Sequence, residues 1–310
     1  MRSIPFLLFA LVLAGCEQPP AEESGTPQAG AEAGETGQSA ADAAPSDAPA
    51  DRLEAILADK PAEFKARYEY RHPQETLQFF GIEPGMTVVE ALPGGGWYSQ
   101  ILIPYLGEEG RLIGATYAEE MWPKFEFADQ AFIDSMKTWT TDWPQEAQQW
   151  QGDDGASVDA FVLGSLPDGM AGQADAVLFI RALHNLARFE SEGGFLTTAL
   201  EDAFRVLKPG GIVGVVQHEA RPQMPDEWAT GENGYLKKQF VIDRFEAAGF
   251  ELVDESDVNQ NPNDQPTEEE FVWRLPPSYG TSQDDPDLKA QMDQIGESNR
   301  MTLKFRKPRG

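Results

Sequence analysis

Val88-Val89-Glu90-Ala91-Leu92-Pro93-Gly94-Gly95-Gly96-Trp97 reads as a buried β-strand that runs into three consecutive glycines and then into a helix. A strand that stops at a glycine turn facing a helix N-terminus is how α/β folds bring backbone close to a nucleotide-like ligand. A side chain at those positions would block the ligand or forbid positive φ. The stretch therefore predicts an α/β fold with a ligand site at the end of its first strand.

Working outward, the pattern from Asp51 to Phe80 is helical, with Leu53, Ile56, Leu57, Phe64 and Tyr68 at helix-like spacings and a break at Arg71-His72-Pro73. Glu75 to Phe80 is a short helix closed by Gly81, and Met86 to Leu92 is the first strand. A helix from Trp97 to Leu106, interrupted by Pro104, leads to a second strand from Arg111 to Tyr117. The aromatic-rich stretch Met121 to Trp150 predicts one helix plus an irregular segment around Trp143-Pro144. Ala160 to Leu163 is a short strand, and the apolar run Ala174 to Ile180 suits a central parallel strand covered on both faces. Leu196, Leu200, Ala203, Phe204 and Leu207 mark an amphipathic helix stopped by Lys208-Pro209-Gly210-Gly211. Ile212 to Gln217 is a strand, Phe240 to Ala248 a helix capped by Gly249, and Phe250 to Asp254 a strand. Met301 to Arg306 alternates as a final antiparallel strand. The alternation of strands and helices predicts a doubly wound, Rossmann-like, mostly parallel sheet with an antiparallel final strand.

The chain divides by composition into residues 1–16, residues 17–50 and a single α/β domain over residues 51–310. Arg2 and the apolar run Ile4 to Val12 end in Leu13-Ala14-Gly15-Cys16, which resembles the lipobox of bacterial lipoproteins. That resemblance implies cleavage before Cys16, lipidation of its thiol and, with Glu17 following, an address at the outer membrane facing the periplasm. Cys16 is the only cysteine, so no internal disulfide is possible. Residues 17–50 are rich in Ala, Gly, Pro, Ser and Glu, without Lys or Arg, and read as an acidic disordered tether. No later apolar run is long enough to span a bilayer. The formal charge of −28, from 52 acidic and 24 basic residues, argues against nucleic acid as a partner.

Several segments together resemble class I S-adenosylmethionine-dependent methyltransferases. The first strand and its glycine loop match that family's principal cofactor motif, and Leu207-Lys208-Pro209-Gly210-Gly211 matches its turn before a strand. Ala174-Asp175-Ala176-Val177-Leu178 with Leu183-His184-Asn185-Leu186 resembles its fourth strand and following loop. Glu246-Ala247-Ala248-Gly249-Phe250 resembles its late helix end. Arg71-His72-Pro73 with Pro93-Gly94-Gly95-Gly96-Trp97-Tyr98 is similar to a group of exported bacterial methyltransferases. The sequence departs from the family pattern at Leu92, where the first glycine would fall. It departs again at Thr116, in place of the acidic residue that holds the ribose, and at Gly164-Ser165, in place of one near the adenine.

The resemblance implies S-adenosylmethionine as cofactor, held by Glu90, Gly94, Gly95, Gly96 and Tyr98, with Glu119 as substitute for the ribose acid if its loop curls back. His184 and His218 follow strands at the rim where α/β sites collect and are the candidate proton acceptors. Arg71 and His72 form either a lid over the glycine loop or a simple helix-breaking turn. The three histidines lack the tight spacing of a metal site, so no metal is expected. Absence of Gly-x-Ser-x-Gly and of G-x-G-x-x-G disfavours an α/β-hydrolase and a nicotinamide enzyme. Two functions stay open: a lipid-anchored methyltransferase acting on a small-molecule or envelope substrate, or a non-catalytic binding lipoprotein that keeps the fold.

Overall fold

Alternation along the strands determines how the sheet is covered. The computed structural model describes residues 48–310; the expected signal over residues 1–16, its Cys16, and the tether up to residue 47 lie outside them. Neighbouring residues of one strand point to opposite faces. Thus Val89, Val177, Phe179, Val213 and Val215 join one apolar core, while Val88, Leu112, Ala176, Leu178 and Val216 join another on the far side. The helix Phe195–Val206 covers the first face, and Pro49–Ala58, Pro73–Phe80 and Ser99–Leu106 cover the second.

The strands are β1 (Thr87–Ala91), β2 (Arg111–Thr116), β3 (Ser157–Val162), β4 (Ala174–Ile180), β5 (Leu207–His218), β6 (Glu251–Ser256) and β7 (Arg300–Arg306). Their order across the sheet is β3-β2-β1-β4-β5-β7-β6. The pairs among β1 to β5 are parallel, whereas β7 is antiparallel to both β5 and β6. This is the predicted α/β, doubly wound sheet with an antiparallel final strand. Among the described residues no helix is long and apolar enough to cross a membrane.

Four local differences from the sequence reading have identifiable causes. The N-terminal helical stretch is four short helices, Pro49–Ala58, Ala62–Lys65, Tyr68–Arg71 and Pro73–Phe80. Pro61 and Pro73 remove backbone donors, and His72 turns left-handed at φ 38°. The first of these helices starts at Pro49, within what composition reads as the end of the tether. Trp143-Pro144 is not irregular but lies inside the helix Trp139–Ala147. Trp143 is buried against Gly114 of β2, where an added Cβ would come within 2.5 Å of its ring, so packing holds the helix through its proline. The helix Ser99–Leu106 likewise runs through Pro104 unbroken. Finally, Lys208–Gly211 forms a bulge within β5, because Ala174 pairs with Leu207 while Ala176 pairs with Ile212.

Candidate functional site

β1 connects to β2 on one side and lies beside β4 on the other, so the crevice beyond its C-terminal end is the topological switch point of the sheet. The backbone there is unusual. Leu92 keeps its amide bonded to the Ala115 carbonyl at 2.8 Å yet adopts φ 56°, the left-handed conformation expected of a glycine. Arg181, directly after β4, adopts φ 57°. Left-handed non-glycine residues cost of order 1 kcal/mol each and collect at functional sites. Two of them end adjacent strands here.

Glu90 is buried in β1 and accepts a hydrogen bond from Ser99 Oγ at 2.6 Å, the serine that opens the next helix. Burial pushes its carboxyl up to about 7; the Ser99 bond and the charge of Arg181 offset that only in part. The glycines differ from one another. A Cβ on Gly94 would meet nothing closer than the Leu92 carbonyl at 3.9 Å, and one on Gly95 nothing within 4 Å. A Cβ on Gly96, by contrast, would fall 2.1 Å from the ring of Trp150, so Gly96 makes room for a tryptophan. Trp97 stacks on Phe64 at 4.7 Å and carries the Arg71 guanidinium over its ring at 4.6 Å. Tyr98 is in the core, its hydroxyl donating to the Arg71 carbonyl at 3.3 Å. Glu119 stands exposed at the start of the 3-10 turn Glu119–Lys124, beyond the buried Thr116. Gly164 spends its amide on Asp202, 2.6 Å away.

The ends of β4 and β5 bring the two candidate histidines together, with ring centroids 5.5 Å apart. His184 Nδ1 lies 3.5 Å from Gln217 Oε1, and His218 Nδ1 lies 2.6 Å from Ser298 Oγ. Burial pulls His184 down to about 4 against the raising effect of Gln217. His218 also falls well below its ordinary value, through burial first and then the charges of His184, Arg300 and Arg181. Both imidazoles are therefore held neutral, and the burial that lowers them also weakens them as proton acceptors until a charge nearby compensates the cation.

Around them sits a charge cluster that the sequence reading missed. Glu297 is 1% exposed and serves three arginines: Arg67 at 2.6 Å, Arg71 at 3.0 Å, and Arg300. Burial opposes its ionisation, but Arg300 and Arg71 outweigh burial and hold the carboxyl down at about 2. Arg71 is therefore tied to a carboxylate as well as stacked on Trp97, and His72 beside it lines a polar cavity of about 280 Å³ with Asn259 and Asn261. A second cavity, of about 110 Å³, is lined by Arg181, His218, Ser298 and Arg300 under Trp273 and Pro277. The segment bearing Trp273 is pinned by buried Arg274, which donates to Asp264 at 2.8 Å and to the Tyr235 hydroxyl at 3.0 Å. The one signal that points to Arg181 is a charge placed immediately after an apolar strand; Glu297 has no local signal at all. Among the described residues no group of three or more His, Cys, Asp or Glu could hold a metal ion.

No protein-family model and no curated protein matches the sequence. Solved structures do. The [4+2]-cyclase SpnF is 20% identical over 77% of this chain and 81% of its own, with a TM-score of 0.49. A SAM dependent methyltransferase from Aquifex aeolicus is 21% identical over 67% of this chain and 93% of its own, with a TM-score of 0.44. The 1,6-didemethyltoxoflavin-N1-methyltransferase of Burkholderia thailandensis, which has S-adenosylhomocysteine bound, is 15% identical over 86% and 92%, with a TM-score of 0.42. At these scores the likenesses carry nothing about function. The α/β architecture stands on the strand order and register.

Proposed function

We propose that the crevice between β1 and β4 binds S-adenosylmethionine and that the protein transfers its methyl group to an acceptor lying towards β5. One observation carries this reading: a buried carboxyl, Glu90, behind two glycines whose outer faces meet no crowding, at the switch point of the sheet. The residues fit the amino-acid end of the cofactor, with Glu90 toward its ammonium and Gly94 and Gly95 admitting backbone approach. They do not offer a buried acid for the ribose, since Thr116 stands in its place and Glu119 is exposed. When bound, the sulfonium supplies the electrophilic methyl. The chain's own part is to orient the reactants and to take up the acceptor's proton at His184 or His218.

Calorimetric titration of the full chain with S-adenosylmethionine tests the cofactor. An ammonium beside Glu90 pulls its raised carboxyl back down, so binding near pH 7 should release a proton, seen as a dependence on buffer ionisation heat. Absence of binding at millimolar cofactor would sink the proposal. One feature favours a binding protein without turnover, namely Trp150 filling the face of Gly96. Methyl transfer from labelled cofactor to any acceptor decides against that second reading.

The address belongs to the same proposal and rests on Leu13-Ala14-Gly15-Cys16: a lipid anchor at Cys16, in the outer membrane facing the periplasm, with a small-molecule or envelope substrate and no nucleic acid. Mass spectrometry of the mature N-terminus checks it, since an unmodified Cys16 would refute the anchor.

A further inference from the structure

We infer that the 110 Å³ cavity at the ends of β4, β5 and β7 is an oxyanion site, taking the carboxylate or phosphate end of a small acceptor molecule, with Arg181 as its main contact. As an acceptor site it rests on the donor reading above; as an anion site it stands on its own geometry.

The first argument is charge. Arg67, Arg71 and Arg300 all turn to the single carboxylate of Glu297. Among the described residues no group hydrogen-bonds or ion-pairs with the Arg181 guanidinium, although it lines the same cavity as Glu297 and Arg300. Its influence on Glu90 is felt through space rather than through an ion pair. Burial, with Arg71 and Arg300 beside it, pulls Arg181 to about 9, so it remains charged at neutral pH. Arg181 is half-buried and feels Glu297 only through space, so its guanidinium keeps hydrogen-bonding capacity for an entering anion.

The second argument is placement. The Arg181 amide donates to the Val216 carbonyl at 2.7 Å, which anchors the residue to β5 while its backbone turns left-handed. Glycine would occupy that turn without strain, so arginine there is explained by its side chain. Ser298 and His218, joined at 2.6 Å, put a hydroxyl and an imidazole in the cavity wall, and Trp273 and Pro277 give it an apolar side. A guanidinium fork with neighbouring hydroxyl and imidazole groups matches carboxylate or phosphate oxygens.

The third argument is size. Whole-ligand pockets run to roughly 300 Å³ or more. A cavity of about 110 Å³ therefore accepts a headgroup rather than a nucleoside or a complete cofactor.

The test is calorimetric titration of the full chain, without cofactor, using inorganic phosphate in one arm and acetate in the other. Saturable binding of either supports the site, and the tighter arm names the headgroup. Arg181→Gly should lose about tenfold or more in affinity, while its melting temperature in anion-free buffer equals or exceeds that of the parent. Arg181→Gln keeps a polar side chain without the charge or the fork and should lose comparable affinity, which covers the case in which the glycine variant fails to fold. No saturation in either arm, or parental affinity in a folded Arg181→Gly or Arg181→Gln, overturns the site. Competition between phosphate or acetate and S-adenosylmethionine overturns its assignment to the acceptor. Anion binding that persists where S-adenosylmethionine does not bind overturns the donor reading alone.

Discussion

The end of β1 is filled with rings, and the ends of β4 and β5, a few ångströms along the same rim, are filled with charges. Around the glycine loop, Trp150 sits on Gly96, Trp97 on Phe64, and Tyr98 in the core. Across the crevice, four arginines gather about one carboxylate and two neutral histidines. The first region is shaped by contact and, at Gly96, is intolerant of an added atom, while Gly94 and Gly95 stay uncrowded. The second is shaped by the pairing of three arginines with Glu297 and is intolerant of losing that carboxylate, while Arg181 stands outside the pairing. Arg71 belongs to both, since its guanidinium lies on Trp97 and also binds Glu297. A disturbance of either side therefore reaches the other through one residue.

The largest effect should come from the charged side. Glu297→Ala strands Arg71 and Arg300, which are 6% and 3% exposed, and should cost about 3–5 kcal/mol of unfolding free energy by denaturant titration. Because folding lowers the Glu297 pKa from 4.5 to about 2, its ionised form stabilises the protein above the ordinary carboxylate range. That contribution disappears as pH falls from 4.5 towards 2, and the variant should lack this part of the acid transition.

Glu90 has the opposite sign. Its pKa is raised by folding from 4.5 to about 7, so stability declines as pH rises through that interval and levels off above it. Glu90→Gln should remove the decline and stabilise the protein at pH 8 by up to roughly 3 kcal/mol, while weakening cofactor binding. A variant less stable than the parent at pH 8 would show that the buried carboxylate is compensated.

On the packed side, Gly96→Ala brings a methyl against Trp150 at a left-handed position and should cost about 2–3 kcal/mol. Adding Trp150→Ala should relieve the clash but not the backbone strain, so the double-mutant cycle should show marked coupling. The smallest change is Leu92→Gly. Relief of φ 56° offsets the apolar packing that the leucine side chain gives up, leaving the protein within about 1 kcal/mol of the parent by denaturant titration.

The packed side was the more legible in sequence. β4 runs from Ala174 to Ile180 as its apolar run predicts, and β7 pairs antiparallel as its alternation predicts. Glu90 and the glycines come from adjacent positions, so a local motif finds them. Trp150 could not be placed on Gly96, because 54 residues separate them and no periodicity links a ring to a missing Cβ. The charged side was visible only as the two histidines and Arg71. Arg71 and Glu297 lie 226 residues apart in the chain and meet because β7 returns to insert between β5 and β6. A single sequence shows each charge but not its partner.

That return has a consequence for biogenesis. β7 follows β6 in the chain, yet it lies between β5 and β6, so β6 has no sheet neighbour among the described strands until residues 300–306 have emerged. Glu297, Ser298 and Arg300 arrive in the same final stretch. A growing chain therefore holds Arg67 and Arg71 without their carboxylate, and the ends of β4 and β5 without the third wall of their cavity. Anion capture becomes a certificate of completeness: a polypeptide clipped before Glu297 keeps the glycine loop in its sequence but lacks the residues that wall the 110 Å³ cavity and the core side chains Leu303 and Phe305.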